Sequence, residues 1–351
     1  MRSEKVVAYG QPLQEFVEAD PRPQGREVLV RLTYCGVCHS DVHLHDGYFQ
    51  IGTEVRSNVG AWQTLPHTLG HEMVGVVEAV GPEATGVAPG DRRIVYPWIG
   101  CGACALCQGG QENLCVGGNR VLGVRLPGGF ADHVLVPDAR YLLAFDGIPE
   151  ERAGPFACSG LTAYSALRKL GPLEAGSPVL IIGAGGVGMM GLQFAKALFG
   201  TAPMVADIDP AKRAAALGMG AASVWDGSDP GTAAALKQAV APGVQGVVDF
   251  VGSEASLALA LGCVRPGGRI VIVGLFGGTL TLPIVTFPFQ AIGVQGSMVG
   301  TLAEMKECLA LAQAGHVAPV PVEVRPLTEA TRTLDDLRHG RIVGRVVLQP
   351  G

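Results

Sequence analysis

The chain has no run of lysine or arginine longer than the pair Arg92-Arg93, and its 351 residues carry a formal charge of -5 with a pI near 5.9. A basic stripe or patch is what a phosphate backbone or an anionic lipid surface requires, so nucleic-acid and membrane-surface binding are set aside. Charge of either sign is sparse, at 16% of residues against 48% hydrophobic, which excludes a disordered chain and describes a packed globular one. The opening residues MRSEKVVAYG contain no apolar core of signal-peptide length, which predicts a chain that stays in the cytoplasm. That compartment keeps thiols reduced, so a disulfide framework is not expected. Two uncharged stretches, 175–195 and 270–303, are long enough to resemble membrane spans. The first holds six glycines and the second holds Pro283, Pro288 and several glycines, so both read as buried strands and turns. Repeats and low-complexity linkers are missing as well.

What is present divides in two, as expected for a chain longer than a single core usually grows. From residue 26 to about 145 the pattern is strand-like: REVLVRLTY alternates, with Val28, Val30, Leu32 and Tyr34 on one face, and HEMVGVVEAVG and FADHVLVP continue it between glycines and prolines. Beyond Pro172 come six short apolar runs, SPVLIIG, PMVAD, ASVWD, GVVDFVG, RIVIVGL and AIGVQGS, the earlier ones separated by alanine-rich helical segments such as DPAKRAAALGMG. Strand and helix in alternation predict an α/β fold with a six-stranded parallel, doubly wound (Rossmann) sheet. A helix over TLAEMKECLALAQAG and a last strand in RIVGRVVLQ are expected to return to the first, β-rich domain.

The run Val179 to Ile182 leads into Gly183-Ala184-Gly185-Gly186-Val187-Gly188, a GxGxxG between a predicted strand and a predicted helix. Gly183 permits the tight turn, Gly185 lets backbone amides approach a pyrophosphate, and Gly188 allows helix and strand to pack closely. The helix N-terminus then faces the negative charge. Val187, Leu192, Ala195 and Leu198 are placed on the sheet-facing side of that helix. Asp207 ends the next strand, where a carboxylate can accept from the adenosine ribose hydroxyls and repel a 2'-phosphate. NAD is therefore favoured over NADP, with Lys212 and Arg213 nearby as the counter-signal.

Nine cysteines fall into two groups. Cys101, Cys104, Cys107 and Cys115 place four thiols in one short loop, a set that suits structural zinc with no open position. The stretch CGVCHSDVH, Cys35 to His43, is ambiguous. CxxCH is the attachment pattern of a c-type haem, yet Ser40, Asp41 and His43 beside Cys38 also suit a metal site that moves protons. The cytoplasmic expectation weighs against haem. From the residues alone, joining Cys38, His71 and Cys158 into one site is only a conjecture.

The motifs CGVCHSD, LGHE, the CxxCxxC lobe with Cys115, ACSGLTAY, GAGGVG with Asp207, VVDFVG and the terminal GRVVL together resemble the zinc-dependent alcohol dehydrogenases of the medium-chain dehydrogenase/reductase family over almost the whole chain. The resemblance implies a GroES-like catalytic domain made of 1–158 and 297–351, carrying a zinc lobe at 98–116, and a Rossmann domain at 159–296. It implies two zinc ions per chain, the catalytic one on Cys38, His71 and Cys158, with Glu72 as an alternate ligand. Asp41 would orient His71, and Ser40 and His43 would relay a proton, His43 having an ordinary surface histidine as its alternative reading. Thr162 would lie against the nicotinamide and Val251 along the cleft, with Gly186, Val187 and Lys212 also on the cofactor. Arg345 would approach the pyrophosphate, its alternative being a solvated strand-end charge. His39, His45 and His67 are left as structural, with His39 a possible pyrophosphate contact.

The implied reaction is reversible hydride transfer from a primary or secondary alcohol to NAD, giving aldehyde or ketone. Phe49 and Trp98 suggest a hydrophobic substrate, although aromatic residues are also ordinary core. Loop 50–66, with Glu54 and Arg56, can cover the pocket and meet a charged group, or simply face solvent. The apolar run LPIVTFPFQAIGVQGS points to a homo-oligomer, a tetramer ahead of a dimer. A silent NAD-binding sensor and a zinc-free quinone reductase of the same superfamily are the competing readings; the intact cysteine and histidine sets argue against both.

Overall fold

The computed structural model describes residues 1–174 and 176–351; Ala175, where the uncharged stretch 175–195 begins, lies outside the described residues. Six parallel strands form one sheet: β1 (Val179–Ile182), β2 (Met204–Asp207), β3 (Ser223–Asp226), β4 (Val244–Asp249), β5 (Val264–Ile272) and β6 (Gly293–Gly296). Their spatial order is 3-2-1-4-5-6, the doubly wound arrangement, and each strand coincides with one of the six apolar runs. The switch in winding falls between β1 and β4, so a crevice opens at their carboxyl ends, where the glycine loop leaves β1. No helix among the described residues is long and apolar enough to cross a membrane.

The helix Gly186–Phe199 begins at that loop and ends on Gly200 in the left-handed region, φ 64°, where lack of a Cβ removes the steric cost. Residues 188–195 are all buried, because the helix is covered on one side by the sheet and on the other by the helix Ser159–Lys169, whose Tyr164 meets Phe194 edge to face. Leu192 and Ala195 are fully buried. Val187, in the first turn, packs half-buried against the core and also lines the crevice.

The second sheet draws on both ends of the chain. Its order is Leu142–Leu143, Arg92–Val95, Glu72–Val80, Val28–Gly36, Arg345–Gln349 and Val322–Pro326, with His133–Val136 also paired to Val28–Gly36. All pairs are antiparallel except the last two strands of that order. Val28, Val30 and Leu32 are buried as the alternation requires. A register irregularity between Leu32 and Tyr34 then shifts the pleat, leaving Tyr34 half-buried and turning Cys35 fully inward. Past that point Gly36 pairs with Glu72 on one side and Val347 on the other, which brings the segments at 36–38, 71–72 and 345 together.

Candidate active site

Cys38 caps the helix His39–Asp46. Asp41, at the third helical position, turns back so that its Oδ2 accepts from Cys38 N at 2.8 Å, and its Oδ1 accepts from Gly70 N at 3.2 Å. One buried carboxylate thus fixes one prospective ligand, Cys38, and the residue before another, His71. Its Oδ1 also lies 3.2 Å from His71 Nδ1, and both ring nitrogens of His71 are buried with no other hydrogen-bond partner. Cys158 begins the helix Ser159–Lys169, and Trp98 Nε1 donates to Ala157 O at 2.8 Å to hold the preceding turn.

The ligand atoms of Cys38, His71 and Cys158 lie within 4.8 Å of one another, and the two sulfurs are 3.9 Å apart. Zn–S bonds of about 2.3 Å in a tetrahedron separate sulfurs by about 3.8 Å, so the spacing fits zinc. Protonation tells the same story. A hydrogen bond from the Cys158 thiol, with help from His71, holds Cys38 well below the ordinary thiol range despite burial, while that same bond and burial push Cys158 well above it. Burial alone would push His71 down, but the charge and hydrogen bond of Asp41 outweigh it and leave the imidazole well above its ordinary value. Two thiols and an imidazole converging in a buried pocket are the donor set a divalent cation such as zinc takes.

The four-cysteine lobe fits by the same measure. Cys101 and Cys107 sulfurs are 3.9 Å apart, Cys104 and Cys107 3.5 Å, and Cys104 and Cys115 4.0 Å. Backbone N–H groups of Cys107 and Val116 bring the Cys104 thiol down to about 6, whereas burial pushes Cys107 up to about 12. Below the lobe, Glu112 accepts from the Tyr141 hydroxyl at 2.6 Å and from Gly100 N at 3.3 Å, anchoring it to the sheet.

One cavity of about 620 Å³ connects the first cluster to the crevice. Cys38, Ser40, His43, Cys158 and Thr162 line one end with Phe49 and Trp98, and Gly183, Gly185, Gly186, Gly188, Asp207, Lys212 and Val251 line the other. Ser40 and His43 share a helix face at i, i+3. Burial depresses the His43 imidazole below its ordinary value, and its ring lies 5.0 Å from that of Phe49. His39, also depressed by burial, packs against Phe276 at 5.3 Å. Trp98 meets His71 edge-on at 5.4 Å. His45 and His67 are buried outside the cavity, His45 bonded to Gln11 O at 2.8 Å.

In the glycine loop, Gly183 has φ 92°, a Cβ on Gly188 would overlap the Gly183 carbonyl, and a Cβ on Gly185 would meet nothing within 4 Å. The last leaves open space over a helix N-terminus, which fits a pyrophosphate. Asp207 accepts from Ala184 N at 2.6 Å and Asp209 N at 2.8 Å, which fixes its carboxylate at the cleft. Arg213 is occupied elsewhere, donating to Asp207 O at 2.7 Å and pairing with Asp226 at 3.2 Å. Arg345 is only 5% exposed, so the solvated reading fails. It pairs with the fully buried Glu72 and lies against Gly186, joining the first cluster to the loop. Burial raises the Glu72 carboxyl, an effect the neighbouring guanidinium only partly offsets.

Loop 50–66 does not cover the cavity, since none of its residues lines it. Part of it forms a hairpin, Tyr48–Gln50 with Arg56–Asn58, in which Arg56 sits 4.0 Å over the Tyr48 ring and bonds to Gln50 at 3.2 Å; Glu54 is exposed. Sequence reasoning also passed over several residues. Asp249 is buried and accepts from Val251 N at 2.9 Å, Gly252 N at 3.0 Å and the Ser256 hydroxyl at 2.7 Å, which shapes the turn carrying Val251. A polar residue ending the apolar run VVD was the available signal. Phe250, Phe276 and Val299 line the cavity with no sequence signal beyond hydrophobicity.

A parallel dinucleotide sheet facing a thiolate–imidazole cluster across a shared cleft is the layout of a two-domain, metal-type dehydrogenase. The family described as "Alcohol dehydrogenase GroES-like domain" matches residues 24–146 and "Zinc-binding dehydrogenase" matches 186–314. An NAD-dependent alcohol dehydrogenase of Sulfurisphaera tokodaii is 35% identical over 352 residues, covering 100% of both chains, and an alcohol dehydrogenase of Geobacillus stearothermophilus is 34% identical with 99% of each covered. The crystal structure of the alcohol dehydrogenase from Aeropyrum pernix superposes with a TM-score of 0.88 at 32% identity, covering 100% of both chains. The chain belongs to the zinc-type alcohol dehydrogenases of the medium-chain dehydrogenase/reductase family.

Proposed function

We propose that this protein is an NAD-dependent, zinc-dependent alcohol dehydrogenase that interconverts hydrophobic primary or secondary alcohols with aldehydes or ketones. The observation that carries the reading is the single cavity lined both by Cys38 and Cys158 and by the glycine loop. A zinc ion and a nicotinamide bound there would supply a Lewis acid for the substrate oxygen and an acceptor for hydride.

The chain's own residues have separate tasks. Cys38, His71 and Cys158 hold the metal, and Asp41 fixes His71 so that Nε2 is presented to it. Glu72 keeps Oε1 buried without a partner, which supports a role as alternate ligand. Ser40 and His43 pass the hydroxyl proton outward, and the depressed basicity of His43 keeps it neutral and able to accept. Thr162 and Val251 bound the nicotinamide side of the cleft, Arg345 the pyrophosphate, and Asp207 with Lys212 the adenosine ribose. The engagement of Arg213 with Asp226 supports NAD over NADP, because one of the two nearby cations is already neutralised. Phe49, Trp98, Val37 and Val124 give the substrate end an apolar wall.

The divisions 1–158 with 297–351 and 159–296 are taken as the catalytic and cofactor domains. Two zinc ions per chain are supported by the two clusters, and a cytoplasmic setting is kept as part of the same reading. A homotetramer draws support from two separate apolar patches: Ile284, Val285 and Phe289 beside the exposed strand β6, and Leu114 with Val116 on the lobe. Metal analysis joined to an initial-rate screen with NAD and NADP over aliphatic, allylic, benzylic, cyclic and hydroxy-acid alcohols tests the proposal. Two zinc ions and turnover with NAD are expected. A single zinc, or no turnover by the two-zinc protein with any class, would overturn it.

A further inference from the structure

Among the described residues, two that are not glycine adopt left-handed backbone, Ala291 and Val299, both at φ 49°. Ala291 caps the short helix Thr286–Gln290, an ordinary place for that conformation. Val299 caps nothing. A β-branched residue there crowds its own backbone, and such strain persists only where the surroundings hold it. Val299 is 7% exposed and lines the cleft, so the strain sits in the cleft wall.

The groups that hold it can be named. Ser297 N donates to Ile272 O at 2.9 Å, and the Ser297 hydroxyl accepts from Lys169 Nζ at 3.0 Å. On the far side the Tyr96 hydroxyl donates to Gly300 O at 2.9 Å, and Thr301 with Glu304 caps the helix Leu302–Gln313. The peptide entering Val299 is held by one further bond: Asn113 Nδ2 donates to the Met298 carbonyl at 2.7 Å. Asn113 stands in the four-cysteine lobe beside Glu112, whose buried carboxylate is fixed by Tyr141 and Gly100. Because a peptide is planar and trans, fixing the Met298 C=O toward the lobe also fixes the Val299 N–H in the opposite direction.

We propose that Asn113 is a positioning residue for the cofactor cleft. By holding the Met298–Val299 peptide in its strained orientation it makes dinucleotide affinity depend on an ordered four-cysteine lobe. This rests on the reading of the cleft as an NAD site. Without the Asn113 bond, Val299 relaxes toward ordinary backbone and the wall loses its bound-state shape, so binding must restore the strain.

NADH fluorescence titration of the zinc-analysed wild type, Asn113→Ala, Asn113→Asp, Val299→Gly and the Asn113→Ala/Val299→Gly double variant tests this, with melting curves recorded in parallel. Loss of one ordinary hydrogen bond predicts NADH binding weakened about fivefold in both Asn113 variants, with two zinc ions and the melting temperature kept. At saturating NAD, kcat should hold while KM for NAD rises. In the Val299→Gly background no strain needs holding, so Asn113→Ala should change affinity by less than about twofold. Unchanged affinity in both Asn113 variants, an equal loss in both backgrounds, or a loss that comes only with departed zinc or a lowered melting temperature overturns the proposal. If the wild type itself binds no NADH, the NAD-site reading falls first and the proposal with it.

Discussion

The two cysteine clusters use the same sulfur spacing and yet are built in different ways. In the lobe, all four thiols come from one loop, and the groups that acidify Cys104 are backbone amides of that loop. At the Cys38–His71–Cys158 cluster, Cys38 and Cys158 are 120 positions apart; the register of the large sheet and the buried Asp41 carboxylate bring Cys38 to His71, and the turn held by Trp98 brings Cys158 to them. The lobe has no large internal scaffold, so a bound metal would be part of what orders it. The other cluster is largely pre-built by the fold, presents three ligands and opens onto a cavity. Loss of metal should therefore affect structure at one site and chemistry at the other.

Cys38→Ser or His71→Ala tests that contrast most severely. Each removes a ligand from a fully buried cluster whose surroundings stay in place, so turnover should fall by more than about a thousandfold. NADH binding and the lobe's zinc should persist. Near-normal rates in either variant would contradict the assignment, and loss of both zinc ions would erase the distinction between the sites. Cys107→Ser is the reciprocal test. It should release the lobe's metal and lower the melting temperature by several degrees, while kcat at saturating NAD stays close to that of the wild type. A collapse of kcat comparable to that of Cys38→Ser would show that the lobe takes part in the chemistry.

The same contrast explains how much could be read in advance. The lobe was legible because its four ligands are neighbours in sequence, and the six strands were legible because each is a short apolar run between helical segments. The sequence alone left Cys38, His71 and Cys158 as a conjecture: nothing local links them, and the family resemblance joined them before the sheet register gave the physical reason. Tyr34 was placed on the buried face by simple alternation because a register shift is invisible to a period-two count. Arg56 was left between a charged substrate group and solvent, and the hairpin geometry shows it exposed and stacked on Tyr48. Asn113 carried no signal, since its partner is a backbone carbonyl in a distant segment.

The smallest expected effect concerns the open side that separates the two clusters. The first has Ser40 and His43 on the cavity wall beside Cys38, whereas the lobe has no comparable base on a cavity. Burial depresses the His43 imidazole below 6.5, so the neutral, proton-accepting form persists below that pH, and acid loss of rate through His43 begins only under it. His43→Ala should lower kcat about tenfold near neutrality, at the low end for a positioned proton carrier because the outer end of the path is reachable by water. The deficit should narrow as pH rises and hydroxide takes over the outer transfer. Small exogenous bases should restore part of the rate, and the His43-dependent acid limb should vanish from the kcat profile. An unchanged profile in His43→Ala would return His43 to the status of an ordinary histidine and leave the Cys38–His71–Cys158 assignment standing, since the zinc count and the Cys38→Ser result do not depend on it.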